Sequence, residues 1–552
     1  MNRRAKKRIT LILAAVLMMV LAVAVSADDH GAVVDSGECG DNLTWVLYKD
    51  GLLEISGTGE MWDYDNPSGK KSPWSIYSSQ LKSLVLNEEI TSIGNYAFCD
   101  CDGFTGSLTI PDSVTKIGES AFSHCKGFDG TISLSKNLTS IGVRAFYCCY
   151  DFIGKLAIPE SVVEIGDSAF GYCGNFDSLF LSEGLTAIGE YAFLGDYFEG
   201  VLIIPESTIS IGNGAFGNCH NITEFNVSPK NNAYMSYEGG LYTKDGKELL
   251  QFPLGKTEIP IFHPSLTVIN TYAFFESTLS GQLIIPEGVE KIEDYAFANS
   301  NISSVYLPST LKEMGENPFA PNNNLTTFEV SEENRMYADY AGLLYSKDYT
   351  TLIMCPAGLM HISKFHPSLK VIGEDAFDRC SNISGQLIIP EGVQEIESAF
   401  VYCWELSSLI IPESVNIIND YAFFSCTKIQ SAYFCGDAPT EVSDKAFRAC
   451  ADDFTIYYLN GTSGWSTPEW NGYPCYPVDA IPEPEPSFER GDVNSDNEID
   501  SNDAIYLLRY TMNQTRYPIN QSGDLNGDGE VDSDDAIYLL RHTMNPSRYP
   551  LS

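Results

Sequence analysis

Apolar side chains return along most of the chain with a period of about 23 residues. An Ala-Phe pair marks each return, at Phe98, Phe122, Phe146, Phe170, Phe193, Phe216, Phe274, Phe297, Phe377, Phe400, Phe423 and Phe447, and Pro318-Phe319 fills one more slot. One unit reads Leu156-Ala-Ile-Pro-Glu-Ser-Val162-Val-Glu-Ile165-Gly166-Asp-Ser-Ala169-Phe170-Gly-Tyr-Cys173. A unit this short cannot bury its own apolar face, so the fixed period predicts a solenoid whose stacked units make the core. Leu156 and Ile158 are two apart and share one face of a short strand. Pro159 ends that strand by removing a backbone donor. Val162, Ile165, Phe170 and Cys173 return inward. Gly166 is expected to permit a turn that a bulky residue would resist. The fold class expected is an α/β solenoid of short parallel strands.

Two spacings break the period. Phe216 to Phe274 and Phe319 to Phe377 are both 58 residues, and the extra segments match each other. Gly240-Leu241-Tyr242-Thr243-Lys244-Asp245 corresponds to Leu343-Leu344-Tyr345-Ser346-Lys347-Asp348, and Phe262-His263-Pro264 to Phe365-His366-Pro367. A block of rungs with its insert was duplicated, and each insert reads as a β-hairpin projecting from the stack.

The I-P-x-x-V-x-x-I-G-x-x-A-F-x-x-C unit resembles the BspA-type leucine-rich repeats of bacterial surface and secreted proteins. Cys39-Gly-Asp-Asn-Leu-Thr-Trp45, Leu53-Glu-Ile-Ser-Gly-Thr-Gly59 and Ser72-Pro-Trp74 resemble the start of such proteins. The resemblance implies a leucine-rich repeat stack over residues 83–476 behind a cap region at 28–82. It implies adhesion or protein binding in general terms and names no ligand.

Nine of the 15 cysteines sit three residues after the repeat phenylalanine, at 101, 125, 149, 173, 219, 380, 403, 426 and 450. Stacked rungs lie about 4.8 Å apart, whereas a disulfide wants β-carbons about 3.8 Å apart. The ladder therefore reads as buried free thiols acting as small hydrophobes. Asp196, Ser277, Ser300 and Asn322 take the slot elsewhere. The pairing of Cys39, Cys99, Cys148, Cys355, Cys435 and Cys475 is left open.

After Pro477 the composition changes. Residues 477–487 contain Ile481-Pro-Glu-Pro-Glu-Pro-Ser487, an extended linker. Two copies of one acidic loop follow, 32 residues apart. Oxygen side chains fall at the spacing that wraps one Ca²⁺, an ion that takes six to eight hard oxygen ligands. The first set is Asp492, Asn494, Asp496, Asp500 and Asp503, with Glu498 ligating through its carbonyl. The second is Asp524, Asn526, Asp528, Asp532 and Asp535, with Glu530 in the carbonyl role. The cofactor expected is two calcium ions.

Both loops run into Ala-Ile-Tyr-Leu-Leu-Arg, the start of an amphipathic helix. Loop position 12 is Asp and no helix precedes either loop. This combination resembles a type I dockerin over residues 488–552, a small all-α module that docks cellulosomal proteins onto a cohesin domain of a scaffoldin. The resemblance implies cohesin contacts from Ser501, Asn502, Leu508, Arg509 and Asn513, and from Ser533, Asp534, Leu540, Arg541 and Asn545. The near-identical copies imply two binding orientations, which Asn502 against Asp534 makes unequal. Leu508 and Leu540 read equally well as helix core.

Met1 to Arg8 carries five basic residues, an apolar run follows, and Val25-Ser26-Ala27 offers small residues at a cleavage site. Residues 1–27 thus read as a secretory signal peptide, the alternative being an uncleaved anchor. The expected place of action is extracellular, on a cellulosome or cell surface. The whole chain has a net charge of −41. That charge argues against nucleic-acid and anionic-membrane partners.

The residue between the two inward strand positions should face outward. Along the stack these residues include Phe180, Ile203, Ile284, Tyr306, Ile388, Ile410 and Tyr433, an apolar and aromatic ribbon. Such a ribbon marks an interaction surface unless the inserts fold over it. Phe180, Tyr306 and Tyr433 are its candidate contacts with a protein or glycan. No nucleophile–base motif or phosphate loop is present. Acids such as Glu160, Glu206, Glu287, Glu391 and Glu413 recur as repeat consensus and read as a solvated face. The function expected is a non-catalytic binding module docked through its dockerin. The alternative is a polysaccharide-degrading enzyme with an unrecognised site.

Overall fold

The computed structural model describes residues 30–65, 69–482, 493, 499, 501–512, 523–526, 531–544, 548–549 and 551. Residues 1–27, the linker from 483 on, and Asp492, Asn494, Asp496, Glu498, Asp500, Asn513, Asp528, Glu530 and Asn545 lie outside the described residues. The repeats form a parallel-strand solenoid of about 17 turns. The chain divides into two compact units, with the boundary between Asp339 and Tyr340.

Each rung contributes to two parallel ladders. In the first unit, Lys116–Ile117, Ser140–Ile141, Glu164–Ile165, Ala187–Ile188 and Ser210–Ile211 pair in register. Their common register buries Ile117, Ile141, Ile165 and Ile188. The other ladder carries the strand that ends at Pro159, with Leu156 opposite Leu179 and both buried. The rungs close through turns, and the described α-helices are Ser501–Met512 and Ser533–Met544.

The turn chemistry differs from expectation. Ser168 and Tyr172, two residues either side of Phe170, occupy the left-handed region at φ 54° and 57°. Gly166 does not. A Cβ on Gly166 would lie 2.6 Å from Val143 N and 2.8 Å from Gly142 C. The glycine therefore lets two rungs approach, and the turn is made by its neighbours.

Inside, the phenylalanines form columns. Phe98, Phe122, Phe146 and Phe170 stack nearly parallel with centroids 5.0 to 5.2 Å apart. Trp74 heads this column, 5.2 Å from Phe98. It is fully buried, with its Nε1 donating to Ala97 O at 2.8 Å. In the second unit Phe377, Phe400, Phe423 and Phe447 do the same, at 4.4 to 5.2 Å.

The inserts are hairpins that rejoin the stack. Tyr234–Tyr237 and Gly240–Thr243 pair antiparallel. Glu248–Gln251 then pairs antiparallel with the hairpin and parallel with Val268–Ile269. In the second insert, Leu343–Ser346 pairs with Thr351–Met354, which runs parallel to Val371–Ile372. Phe252 takes a phenylalanine slot, stacked 4.8 Å from Phe274. Cys355 takes the equivalent slot, its N–H donating to Ala376 O at 2.7 Å as Phe252 N–H does to Ala273 O at 3.0 Å.

No disulfide joins any of the 15 cysteines. The ladder thiols do more than fill space. Cys125, Cys149 and Cys173 donate to the carbonyls of Phe98, Phe122 and Phe146, each at 3.0 Å. Burial pushes the Cys125 and Cys173 thiols well up, so the S–H is retained as a donor. Ser300 and Asn322 reproduce the bond, to Phe274 O at 3.3 Å and Phe297 O at 3.0 Å. Asp196 takes the slot differently. Its Oδ1 accepts the Cys173 N–H at 2.7 Å, and burial raises its carboxyl well above the usual range.

Candidate functional site

Two surfaces carry the candidate residues. The first is the outward face of the strand ladder. In the first unit Phe180, Ile203 and Ile284 are 50, 60 and 56% exposed, so the inserts do not cover them. Ala157 lies opposite Phe180, Ile203 opposite Asn226, and Tyr306 sits between Ile284 and Glu329. Lys155 places its Nζ 3.4 Å from the centroid of the Phe180 ring, a cation–π contact. Tyr306 is half-buried. Val201, two residues before Ile203, is a further exposed apolar side chain at 52%, opposite Glu224.

In the second unit the row is continuous. Ile388 pairs with Ile410, Ile410 with Tyr433, Tyr433 with Tyr457, and Tyr457 with Tyr476. Leu387, Leu409, Ala432, Ile456 and Cys475 alternate with them and are buried. Ile410 departs from expectation. Flanked by Ile388 and Tyr433, it is buried at 7% exposure, while Ile388 is 41% exposed. Tyr433 is half-buried and stacks on Tyr457, centroids 5.1 Å apart at 17°. Tyr457 and Tyr476 were not legible beforehand, because the rungs after Phe447 lack the Ile-Pro signature. Glu160, Glu206, Glu287, Glu391 and Glu413 are exposed.

The second surface belongs to the two C-terminal helices. Val493, Ala504, Leu507, Leu525, Ala536 and Leu539 form a small buried core. Leu508 and Leu540 are half-buried against it, while Ser501, Asn502, Arg509, Ser533, Asp534 and Arg541 are exposed. Ile505 and Met512, seven residues apart, are 46 and 77% exposed, and Ile537 and Met544 repeat them at 44 and 80%. With Leu508 and Leu540 they extend one apolar stripe per helix, which the repeat motif alone did not single out.

The described part of the second loop is organised around Asp535. This carboxylate is fully buried. Its Oδ1 accepts the N–H groups of Leu525 at 2.7 Å and Asn526 at 3.1 Å, and its Oδ2 that of Asp532 at 2.9 Å. The bonds tie the loop's start to its end. Among the described residues no basic side chain pairs with Asp535. Asp503 is buried in the equivalent position. Among the described residues no three acidic, histidine or cysteine side chains gather into a metal site. Asp524, Asn526 and Asp532 share the loop with Asp535, and their oxygens are of the hard type that Ca²⁺ takes.

Comparison with known proteins agrees with this anatomy. The BspA type leucine rich repeat region profile matches residues 74–193, 197–238, 253–352 and 359–460. The dockerin type I domain profile matches residues 490–543. No curated protein matches the chain. A leucine-rich repeat protein from Eubacterium ventriosum is 22% identical, aligned over 80% of this chain and 100% of its own, at a TM-score of 0.47. A leucine-rich cell surface protein from Faecalibacterium prausnitzii is also 22% identical, over 74% and 96%, at 0.41. The chain belongs to the BspA-type leucine-rich repeat proteins and carries a type I dockerin domain after its repeats.

Proposed function

We propose that the chain is a secreted, non-catalytic binding module. Its calcium-dependent dockerin docks onto a cohesin domain of a scaffoldin, and the outward face of its repeats holds a protein or glycan. The observation that carries this reading is the pair of matching helices, each turning Ser, Asn or Asp and Arg to solvent beside a buried loop aspartate. Asp524, Asn526, Asp528, Asp532 and Asp535, with Glu530 through its carbonyl, would hold one ion, and Asp503 with the rest of the first-loop set the other. Bound calcium would supply the positive charge that lets clustered carboxylates close the loop. The chain's own residues then fix the helix starts and orient Arg509 and Arg541. The proposed domain plan is a signal peptide at 1–27, a cap at 28–82, repeats at 83–476, a linker at 477–487 and the dockerin at 488–552.

The test is binding of the mature chain to a panel of immobilised cohesins, with calcium and with excess chelator. Retention in calcium that is lost on chelation is expected, and equal binding in both would sink the reading. A parallel hydrolysis screen on plant-wall polysaccharides checks the non-catalytic part.

A further inference from the structure

The ribbon of the second unit has a chemistry that selects its partner class. Tyr433 and Tyr457 stand parallel on neighbouring strands, 5.1 Å apart, so each ring covers a face of the other. Ile410 flanks the other side of Tyr433 in register. A sugar ring stacks on an open aromatic face, and the faces between these two rings are closed. Both rings are half-buried, and Tyr476, next in the row, is 45% exposed.

A second, independent feature lies along the ends of the same strands. Glu391 follows Ile388, Glu413 follows Ile410 and Asp437 follows Tyr433, and all three are exposed. A Cβ on Gly436 would lie 2.5 Å from Glu413 Cβ, which sets Glu413 beside the end of the Tyr433 strand. Residues 385–479 hold thirteen acidic and three basic side chains. Two of the three bases are already engaged, Lys428 with Glu405 at 2.5 Å and Lys445 with Asp420 at 3.2 Å.

We infer that the row Ile388–Tyr433–Tyr457–Tyr476, with its acidic border, docks a protein segment that alternates apolar and basic side chains. Apolar side chains lie along the row, and lysines or arginines meet Glu391, Glu413 and Asp437. This inference rests on the proposed role of the ribbon and narrows its partner from protein or glycan to a cationic protein.

The test uses the full chain loaded with calcium. Binding is measured by fluorescence anisotropy to a short peptide of alternating lysine and phenylalanine and to its glutamate counterpart. Calorimetry with cellohexaose and xylohexaose runs alongside. The lysine peptide is expected to bind, more weakly as salt rises, and the glutamate peptide is not. Tyr433→Ala with Tyr457→Ala, and separately Glu391→Gln with Glu413→Gln and Asp437→Asn, should each weaken binding by about tenfold or more. Tyr433→Phe with Tyr457→Phe should retain most of it. Circular dichroism and cohesin binding report folding in every variant. Failure of the lysine peptide to bind, or equal binding of both peptides, overturns the inference. Tyrosine-dependent binding of an oligosaccharide also overturns it, while leaving the ribbon as a ligand surface. Probe binding that ignores Tyr433 and Tyr457 removes the ribbon's role as well.

Discussion

The Sγ of Cys125 lies 3.0 Å from the carbonyl oxygen of Phe98, one rung away in the stack. The same oxygen accepts the N–H of Cys101 at 3.2 Å. Cys149, Cys173, Cys219, Cys403, Cys426 and Cys450 do the same, so these ladder cysteines stitch their rungs to the ones before, using a lone pair that the turn leaves over. Cys125→Ala is expected to cost about 1–2 kcal/mol, from one lost hydrogen bond and a small cavity. Cys125→Ser should cost less, since Ser300 already makes this bond in its own rung. Urea unfolding of the full chain compares the two, and an alanine variant as stable as the serine variant would refute the donor role.

Asp378 supplies a pH dependence. Burial raises its carboxyl from 3.8 to about 6, the charge of Arg379 opposing and that of Asp375 adding. The folded chain therefore binds this proton more readily than the unfolded chain does. The penalty is complete above pH 6 and fades as pH falls from 6 towards 4, so this group favours folding on acidification. Asp378→Asn is expected to raise Tm at pH 7.5 and to lose most of that advantage by pH 4. An advantage that is constant across the range would show that the charge is not its source.

Asp535 should be the most sensitive residue of the second loop. Its replacement by Ala leaves three N–H groups without their acceptor and removes one calcium oxygen. Calorimetric titration of the full chain with calcium is expected to fall from two ions to one. Asp503→Ala should do the same for the other loop, and the double variant should bind neither ion. Unchanged stoichiometry in the single variants would contradict the ligand assignment.

The duplicated helices predict redundancy. Arg509 and Arg541 are both exposed at matching positions. Either Arg→Ala alone should weaken cohesin binding only a few-fold, because the other copy still docks. The double change should weaken it far beyond the product of the singles. Surface plasmon resonance on an immobilised cohesin separates this from two independent contacts, which would give multiplicative losses.

Residue spacing made much of this anatomy legible, and the exceptions have physical causes. The phenylalanine column, the free-thiol ladder and the exposure of Phe180, Ile203 and Ile284 follow from a strict period, since identical rungs impose identical environments. Trp74, Phe252 and Cys355 occupy phenylalanine slots at ordinary spacing from the next phenylalanine, but none is part of the Ala-Phe pair that marks the other rungs. At Gly166 the glycine pattern points to a turn, because conformational freedom is the commoner reason for a glycine, whereas a close rung contact decides. Ile410 is outward in register yet buried, with Ile388 and Tyr433 in register on its two sides. Ile505 and Met512 escaped notice because their exposure depends on which helix face the small core takes.

The absence of disulfides has one more consequence. Twelve of the 15 are buried, and Cys99, Cys435 and Cys450 are only partly accessible. In air, an intact stack offers oxidants almost nothing to attack. A rung that opens exposes several thiols at once, and disulfides formed between them would block its return. For this protein, shelf life in an aerated buffer becomes a clock on how often the stack comes apart.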